Sequence, residues 1–210
     1  VLELLKGELE TTTEDAARYA LSMEIAEIYR KYMGDGASFL EWAERAWALS
    51  RDDSRVVTTI VDHLLAEGQD QKAVPYLEWL VTYLEAKRML KELPPYANAL
   101  GRILEQAGDT RKAVDFYRIC HEHDSTNTGN AMALGRLHMK HGDVEKAARV
   151  FQPLLLRMDS LALDQRREVL LSLARINELR GDNKKARQFI TRLLSEQPDC
   201  AEARSMLGRL

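Results

Sequence analysis

The sequence predicts an all-α protein, an α-solenoid built from antiparallel helix pairs. The main observation is a 34-residue pattern that runs twice between Pro94 and Asp159. A fixed period of this length is typical of a repeat array. Strand signals are nearly absent, because the β-branched run at residues 56–61 lies in a window with a helical apolar period. The two copies of the pattern match at Leu100 and Leu134, Gly101 and Gly135, Gly108 and Gly142, and Ala113 and Ala147.

Composition and charge argue against some classes of function. The 210 residues are 45% hydrophobic and 30% charged, as in ordinary globular proteins. The formal net charge of -3 argues against a dedicated nucleic-acid binder, which usually has a basic patch. No window approaches about 18 uninterrupted apolar residues, so we expect a soluble segment without membrane insertion. Cys120 and Cys200 form no C-x-x-C motif, and they leave the compartment open between cytoplasm and periplasm.

Residues 1–18 are interpreted as the end of a preceding repeat and a linker. The chain opens at Val1 without an initiator methionine and ends inside a helical pattern, which indicates a piece of a longer protein. The run Thr11-Thr12-Thr13 with Glu14 offers a capping box for a long helix that reaches about Met33. A partner helix beginning near Ser38 completes the first repeat, near residues 19–53.

The second repeat, near residues 54–93, pairs a helix at Ser54–Ala66 with one running from about Asp70 to Glu92. Pro94-Pro95 ends the latter helix, because a residue before proline is pushed out of the α region.

The third, fourth and fifth repeats follow near residues 94–127, 128–166 and 167–200, and residues 201–210 begin another. Pro153 predicts a kink in the second helix of the fourth repeat. About five extra residues at 159–164, relative to the repeat period, predict a longer first helix in the fifth repeat. Together the repeats are predicted to form a single solenoid domain over residues 1–210.

The repeat carries a signature of small and aromatic residues. Counted from the first residue of a repeat, it has leucine at position 7, glycine at 8, glycine-aspartate at 15–16, alanine at 20, an aromatic residue at 24 and proline at 32. This closely resembles the tetratricopeptide repeat. Small residues at positions 8 and 20 allow two antiparallel helices to approach closely. The resemblance implies a right-handed superhelix whose concave groove, lined by first helices, binds extended or helical peptides.

The sequence contains no motif for catalysis or cofactor binding. Each Gly-Asp pair lies between two helices and lacks the Lys-Ser/Thr of a phosphate-binding loop, and no H-E-x-x-H motif occurs. We therefore expect neither enzyme activity nor a cofactor. One cluster of cysteine and histidine residues has side chains of the types that bind metal ions. Cys120, however, stands where sister repeats have leucine, so packing between repeats is the favoured interpretation. The cluster is Cys120, His121, His123, His138 and His141.

Position 9, directly after the small residue, is the strongest functional signal. The first two repeats have Glu27 and Asp62 there, and the later repeats have Arg102, Arg136, Arg175 and Arg209. By the geometry of the resembled family this position faces the groove, together with Asn98, Met132 and Met139 from the same helices. The alternative is that these arginines are solvated, since Arg102 has Glu105 and Arg175 has Glu178 three residues later. The family's two-carboxylate clamp is not present, because Asn98 and Met132 occupy its lysine position.

These observations predict a noncatalytic scaffold that binds a partner polypeptide in its concave groove. The arginines favour an acidic peptide with interspersed apolar residues, because guanidinium groups pair with carboxylates and methionines offer an adaptable apolar surface. The alternative is a structural or self-association segment of a larger protein, for example in a bacterial envelope or polysaccharide-assembly machine. The second hypothesis predicts an oligomer without any ligand.

Overall fold

The computed structural model describes all 210 residues and contains helices but no strand, so the all-α prediction is confirmed. A π-helical turn at Tyr29–Met33 and a 3-10 helix at Gln152–Ser160 accompany twelve α-helices. None of the helices combines the length and the hydropathy that crossing a membrane requires. The α-helices are α1 (Leu2–Thr11), α2 (Asp15–Ile28), α3 (Gly36–Leu49), α4 (Ser54–Ala66), α5 (Asp70–Ala86), α6 (Leu93–Gln106), α7 (Thr110–His123), α8 (Thr128–Lys140), α9 (Val144–Phe151), α10 (Leu163–Leu179), α11 (Asn183–Glu196) and α12 (Ala201–Arg209).

The chain divides into two compact units, residues 1–96 and residues 97–210. In the first unit α2 packs on α3 and α4 packs on α5. In the second unit α8 packs on α9 and α10 packs on α11. The predicted helix pairs are therefore present in both units. The assignment of residues 1–210 to one solenoid domain stays a prediction.

Close helix approach in the second unit depends on glycine at position 8. A Cβ atom added to Gly135 would lie 2.5 Å from the ring of Phe151, and one added to Gly101 would lie 2.9 Å from the ring of Tyr117. Both aromatic residues occupy position 24 and are buried. Position 8 therefore contacts the aromatic residue at position 24 of the same repeat, and a larger residue at position 8 would displace the ring.

The first unit fills the interface between its paired helices, which we call the seam, with other side chains. Its second repeat has Val61 at position 8 and Leu77 at position 24, and both are fully buried. In the first repeat Phe39 and Ala43 stand where alanine and an aromatic residue are expected, and both are fully buried as well. Exchanging a large and a small residue across a seam keeps the summed volume, which cores tolerate well.

The Gly-Asp turns between first and second helices use left-handed glycines, as at Gly142 with a φ of 79°. The following aspartate usually caps the next helix. Asp109 accepts a hydrogen bond from the backbone N–H of Lys112, and Asp182 accepts one from Lys185. Asp143 makes no such cap.

The predicted capping box before α2 is wrong. The N-cap of α2 is Glu14, and its side chain makes no cap hydrogen bond. The hydroxyl groups of Thr11 and Thr12 instead donate to the carbonyl oxygen of Glu8, at 3.0 and 2.7 Å. The threonines therefore terminate α1, because its last carbonyl groups need donors as much as the first N–H groups of α2 need acceptors.

Helix α5 ends six residues earlier than predicted, at Ala86 rather than at Glu92. The chain leaves the helix through Arg88, which adopts a φ of 56°, and the N–H of Met89 bonds to the carbonyl oxygen of Leu84. This is a left-handed C-terminal cap built on a residue other than glycine. Pro94 and Pro95 consequently lie in the first turn of α6, where a missing N–H costs no helical bond.

Pro153 changes the helix type instead of only kinking an α-helix. Helix α9 ends at Phe151 after eight residues, and the chain continues as the 3-10 helix at Gln152–Ser160. Proline removes one N–H donor and clashes with the carbonyl four residues earlier, which disfavours the α-helical bond pattern. The longer first helix predicted for the fifth repeat is confirmed, since α10 has 17 residues and α8 has 13.

Candidate functional site

The predicted arginines of the second unit lie on its first helices. Arg102 is on α6, Arg136 on α8, Arg175 on α10 and Arg209 on α12, and all four are exposed. This follows from the pattern, because position 8 faces the core and the next residue along a helix points about 100° away from it.

Two of these arginines donate to glutamates of the following repeat. Arg136 Nη1 lies 2.8 Å from Glu168 Oε1 on α10, and Arg175 Nη2 bonds to Glu202 Oε1 on α12. Each pair joins position 9 of one repeat to position 2 of the next. The sequence separations are 32 and 27 residues, and they differ by the five extra residues before α10. Arg175 therefore bonds to Glu202 of the next repeat rather than to Glu178, the acid three residues later on its own helix.

Two contacts of the remaining arginines are longer than these. Arg209 Nε lies 3.9 Å from Glu178 Oε1, and Arg102 Nη1 lies 3.5 Å from Gln106 Oε1. Glu105 accepts a 2.8 Å hydrogen bond from the hydroxyl group of Tyr117. Burial and this carboxylate both raise the pKa of Tyr117 above its usual range, so the tyrosine stays a hydrogen-bond donor.

Two clefts follow α8 and α10 in the second unit. The first, which we name the basic cleft, has a volume of about 390 Å³ and is lined by Arg136, Met139, Lys140, Ser172 and Arg175. The second, which we name the mixed cleft, has a volume of about 380 Å³ and contains both signs of charge. Both clefts share Arg136, Ser172 and Arg175. The mixed cleft is lined by Arg136, Asp164, Gln165, Arg167, Glu168, Leu171, Ser172, Arg175 and Glu202.

The basic cleft is lined by three cationic side chains and by no carboxylate. Its third cation, Lys140, is exposed and forms no salt bridge. Sequence reasoning did not single out Lys140 or Ser172. A signal was present for Lys140, because it follows Arg136 by four residues and so shares its helix face. Ser172 had none, since a lone serine on a helix is ordinary.

The other predicted groove residues are placed as follows. Met139 is half-buried and lines the basic cleft, but Met132 is only 4% exposed and belongs to the core, which corrects its expected place at the surface. Asn98 is half-buried on α6. Asp62 is exposed on α4 in the first unit, where partial desolvation by neighbouring groups raises the pKa of its carboxyl group. Asp62 therefore lies in a different unit from the arginines.

Among the cysteine and histidine residues considered as metal ligands, Cys120 and His138 are buried, whereas His123 and His141 are exposed. Burial raises the pKa of the Cys120 thiol to about 11, so the thiolate that a metal needs is disfavoured. Burial also lowers the pKa of His121 and of His138. No group of three histidine, cysteine or acidic side chains has the arrangement needed to hold a metal ion.

Comparison with known proteins bears on the fold. A tetratricopeptide repeat family model matches residues 97–128. A search of curated proteins finds no match. Among solved structures, YrrB, described as a tetratricopeptide repeat protein with an unusual peptide-binding site, aligns over 100% of both chains with 14% identity and a TM-score of 0.64.

Two further solved structures extend this likeness. MamA aligns over 88% of this chain and 94% of its own, with 13% identity and a TM-score of 0.59. PilF of Pseudomonas aeruginosa aligns over 100% of this chain and 96% of its own, with 14% identity and a TM-score of 0.55. At such identities the likeness establishes the fold, and the family model establishes the repeat. Residues 97–128 are thus a tetratricopeptide repeat, and the chain has the fold of the tetratricopeptide repeat proteins.

Proposed function

We propose that this chain is a noncatalytic scaffold whose basic cleft binds an acidic, extended segment of a partner protein. Tetratricopeptide repeat proteins are generally noncatalytic, and the fold implies protein partners. The single observation that carries the finer proposal is the lining of the basic cleft. Three cations, one thioether and one hydroxyl group converge there without a carboxylate.

Each lining residue has a distinct contribution to such binding. Guanidinium groups of Arg136 and Arg175 are planar forks that match carboxylate geometry, and the Lys140 ammonium is a compact charge with three donors. Met139 offers a polarizable apolar surface for a hydrophobic side chain of the partner. The partner segment is therefore acidic with interspersed apolar residues.

The proposal includes only part of the groove set expected from the sequence. Arg102 and Asn98 on α6 and Arg209 on α12 lie in the same unit and extend the row of first-helix residues. Met132 contributes to the core instead, and Asp62 belongs to the other unit. Peptide binding by YrrB, which has the same fold, supports the class of partner but not its identity.

The test measures fluorescence anisotropy of a labelled peptide of repeated Glu-Glu-Leu triplets, with a Gln-Gln-Leu peptide as its neutral counterpart. We expect the acidic peptide to bind more tightly, and binding to weaken with salt, because the Debye length falls from about 10 Å at 0.1 M to about 3 Å at 1 M. Lys140→Ala and Arg175→Ala should each weaken binding about twofold to fivefold, the range for an exposed charge pair.

The matched control is Arg187→Ala. Arg187 is an exposed arginine of α11 that lines neither cleft and forms no salt bridge, so its removal lowers the net charge equally. Equal weakening by the control and the cleft variants would show a nonspecific charge effect and contradict the proposal. The self-association alternative predicts two other results. Light scattering would show an oligomer in the absence of peptide, and the chain would bind the acidic and neutral peptides equally.

A further inference from the structure

The groove arginines already hold carboxylates that belong to the chain itself. Glu168 accepts from Arg136, and Glu202 accepts from Arg175. The side chains remain accessible, since Arg136 is 49% exposed and Glu168 is 30% exposed. Both glutamates line the mixed cleft, whereas the two arginines line both clefts. A partner carboxylate that enters the basic cleft would therefore meet guanidinium groups that are already paired.

The arrangement repeats along the chain and is therefore not a single accidental contact. In both cases an arginine at position 9 meets a glutamate at position 2 of the following repeat. The two pairs lie side by side along α8, α10 and α12. Lys140 has no such partner, so within the basic cleft it is the cation that a ligand can engage without displacing an internal acid.

The pairs are weak enough to be exchanged. Ion pairs between exposed side chains contribute little, because each charge keeps much of its hydration and salt screens the attraction. Exchanging one internal carboxylate for one partner carboxylate leaves the number of ion pairs unchanged. A net gain in ion pairs comes from a carboxylate that reaches Lys140.

We propose that Glu168 and Glu202 are affinity-limiting residues, which compete with the partner for Arg136 and Arg175 and so leave Lys140 as the cation that an acidic segment engages first. The inference rests on the proposed function of the basic cleft. It assigns to the two glutamates a role that lowers affinity for segments whose several carboxylates must reach the arginines, and lowers it least for a segment with one carboxylate, which engages Lys140.

The test uses Glu168→Gln, Glu202→Gln and the double variant of the full chain with the labelled Glu-Glu-Leu peptide. Glutamine keeps the size of the side chain and one acceptor oxygen but removes the competing charge. Each single change should tighten binding about twofold to fivefold, which is the range for an exposed ion pair. The double variant should bind more tightly than either and should show a steeper loss of affinity with salt.

The matched control is Glu145→Gln. Glu145 also accepts from an arginine of a neighbouring repeat, at 2.9 and 2.6 Å from Arg180, but neither residue lines the basic cleft or the mixed cleft. It should leave the affinity unchanged. A second peptide carries a single glutamate among glutamines. Its one carboxylate can engage Lys140 without displacing an internal acid, so its disadvantage against the Glu-Glu-Leu peptide should grow in the double variant.

The outcomes separate the inference from the function on which it rests. Unchanged or weaker binding by the glutamine variants, with Lys140→Ala still weakening binding, overturns the competitor role and leaves the proposed function standing. Equal binding of the acidic and neutral peptides by the unaltered chain overturns the proposed function itself. Equal tightening by Glu145→Gln assigns the gain to net charge and also overturns the competitor role.

Discussion

The two units place different chemistry at the same repeat positions. At position 9 the first unit has acids and the second has arginines. Glu27 is held within its own helical segment, at 2.8 Å from both Arg30 and Lys31, whereas Arg136 is held by Glu168 of the next repeat. The position-9 acid Glu27 thus reinforces one segment, whereas the position-9 arginines Arg136 and Arg175 join successive repeats.

The second helices differ as well. In the first unit Trp47 of α3 meets the ring of Trp79 on α5 edge-on at 5.5 Å, and Trp79 stacks on Tyr83 at 4.9 Å. The second unit has Ile119 and His123 at the positions of Trp79 and Tyr83. The comparison shows that the helix pair is specified by a few buried positions, chiefly 8, 20 and 24. Exposed positions are then free to carry aromatic packing in one unit and charge in the other.

The largest expected effect on stability comes from placing a bulky residue at the close contact between paired helices of the second unit. Gly135→Leu should destabilise the protein by about 1–3 kcal/mol or more, because even a Cβ atom at this position lies 2.5 Å from the Phe151 ring. The control is Gly129→Ala, whose Cβ would meet only Asn127 Oδ1 at 3.6 Å. Chemical denaturation measures both changes. Indistinguishable midpoints would show that the seam tolerates large residues at position 8 in both units, as it tolerates Val61 in the first.

The next largest effect compares the N-caps of two equivalent first helices. Asp53 caps α4 by accepting from the N–H of Arg55 and also accepts a 2.6 Å bond from the Tyr19 hydroxyl. Asn127 caps α8 by accepting from the N–H of Asn130. Asp53→Ala and Asn127→Ala should each cost about 1–2 kcal/mol at neutral pH.

Acid should separate the two caps. The Arg55 side chain, ahead of the other hydrogen bonds, lowers the pKa of Asp53 from 3.8 to about 2. A carboxyl group with a lowered pKa contributes stability above its unfolded value, and this contribution is lost as pH falls from about 4 toward 2. The cost of Asp53→Ala should therefore shrink over that window, while the cost of Asn127→Ala, which carries no titratable group, stays constant. Parallel decreases in urea denaturation would contradict this assignment.

Much of the fold was predictable because its determinants are local or periodic. The bounds Ser54–Ala66 of α4 match the prediction, since an aspartate cap and a left-handed glycine mark both ends. The end of α5 was not predictable, because Lys87 to Glu92 are good helix formers and the stop is a left-handed Arg88. In general a left-handed stop is expected at glycine, so an arginine gives no warning.

The site was predictable in part. The repeat period identified the arginines at position 9, but their partners depend on the distance between neighbouring repeats. Glu168 and Glu202 lie on the first helix of the following repeat, so a spacing of three residues within one helix does not reveal them. The regular step from position 9 to position 2 of the next repeat could have identified both. Lys140 and Ser172 required the cleft itself, because neither belongs to the repeat pattern.

A smaller effect is expected at His138 of the second unit, which should make the stability of the protein depend on pH. This residue is 6% exposed, and burial lowers the pKa of its imidazole below 6.5 despite Asp143 at 3.6 Å. Lys146 and His141 act in the same direction as burial. The unfolded chain then binds the proton more readily than the folded one, so stability falls as pH drops through 6.5. His138→Asn, which copies Asn177 of the next repeat, should reduce this slope between pH 7.5 and 5, as measured by urea denaturation, and His121, whose pKa is also lowered, accounts for part of the remainder.

The smallest effect tests whether ion pairs between repeats differ from those within a helix. Arg180 donates two hydrogen bonds to Glu145 across a sequence separation of 35, and in the first unit Arg45 donates one to Glu41 of its own helix at 2.6 Å. Both acids are well exposed, so Glu145→Gln and Glu41→Gln should each be close to neutral. The effect of Glu145→Gln should nevertheless be the larger, since its pair joins α9 to α10 through two bonds while the other pair only reinforces α3. Double-mutant cycles with Arg180→Gln and Arg45→Gln isolate the two coupling energies, and salt should reduce both. A coupling at Glu41 equal to that at Glu145 would show that pairing across repeats adds nothing beyond pairing along one helix.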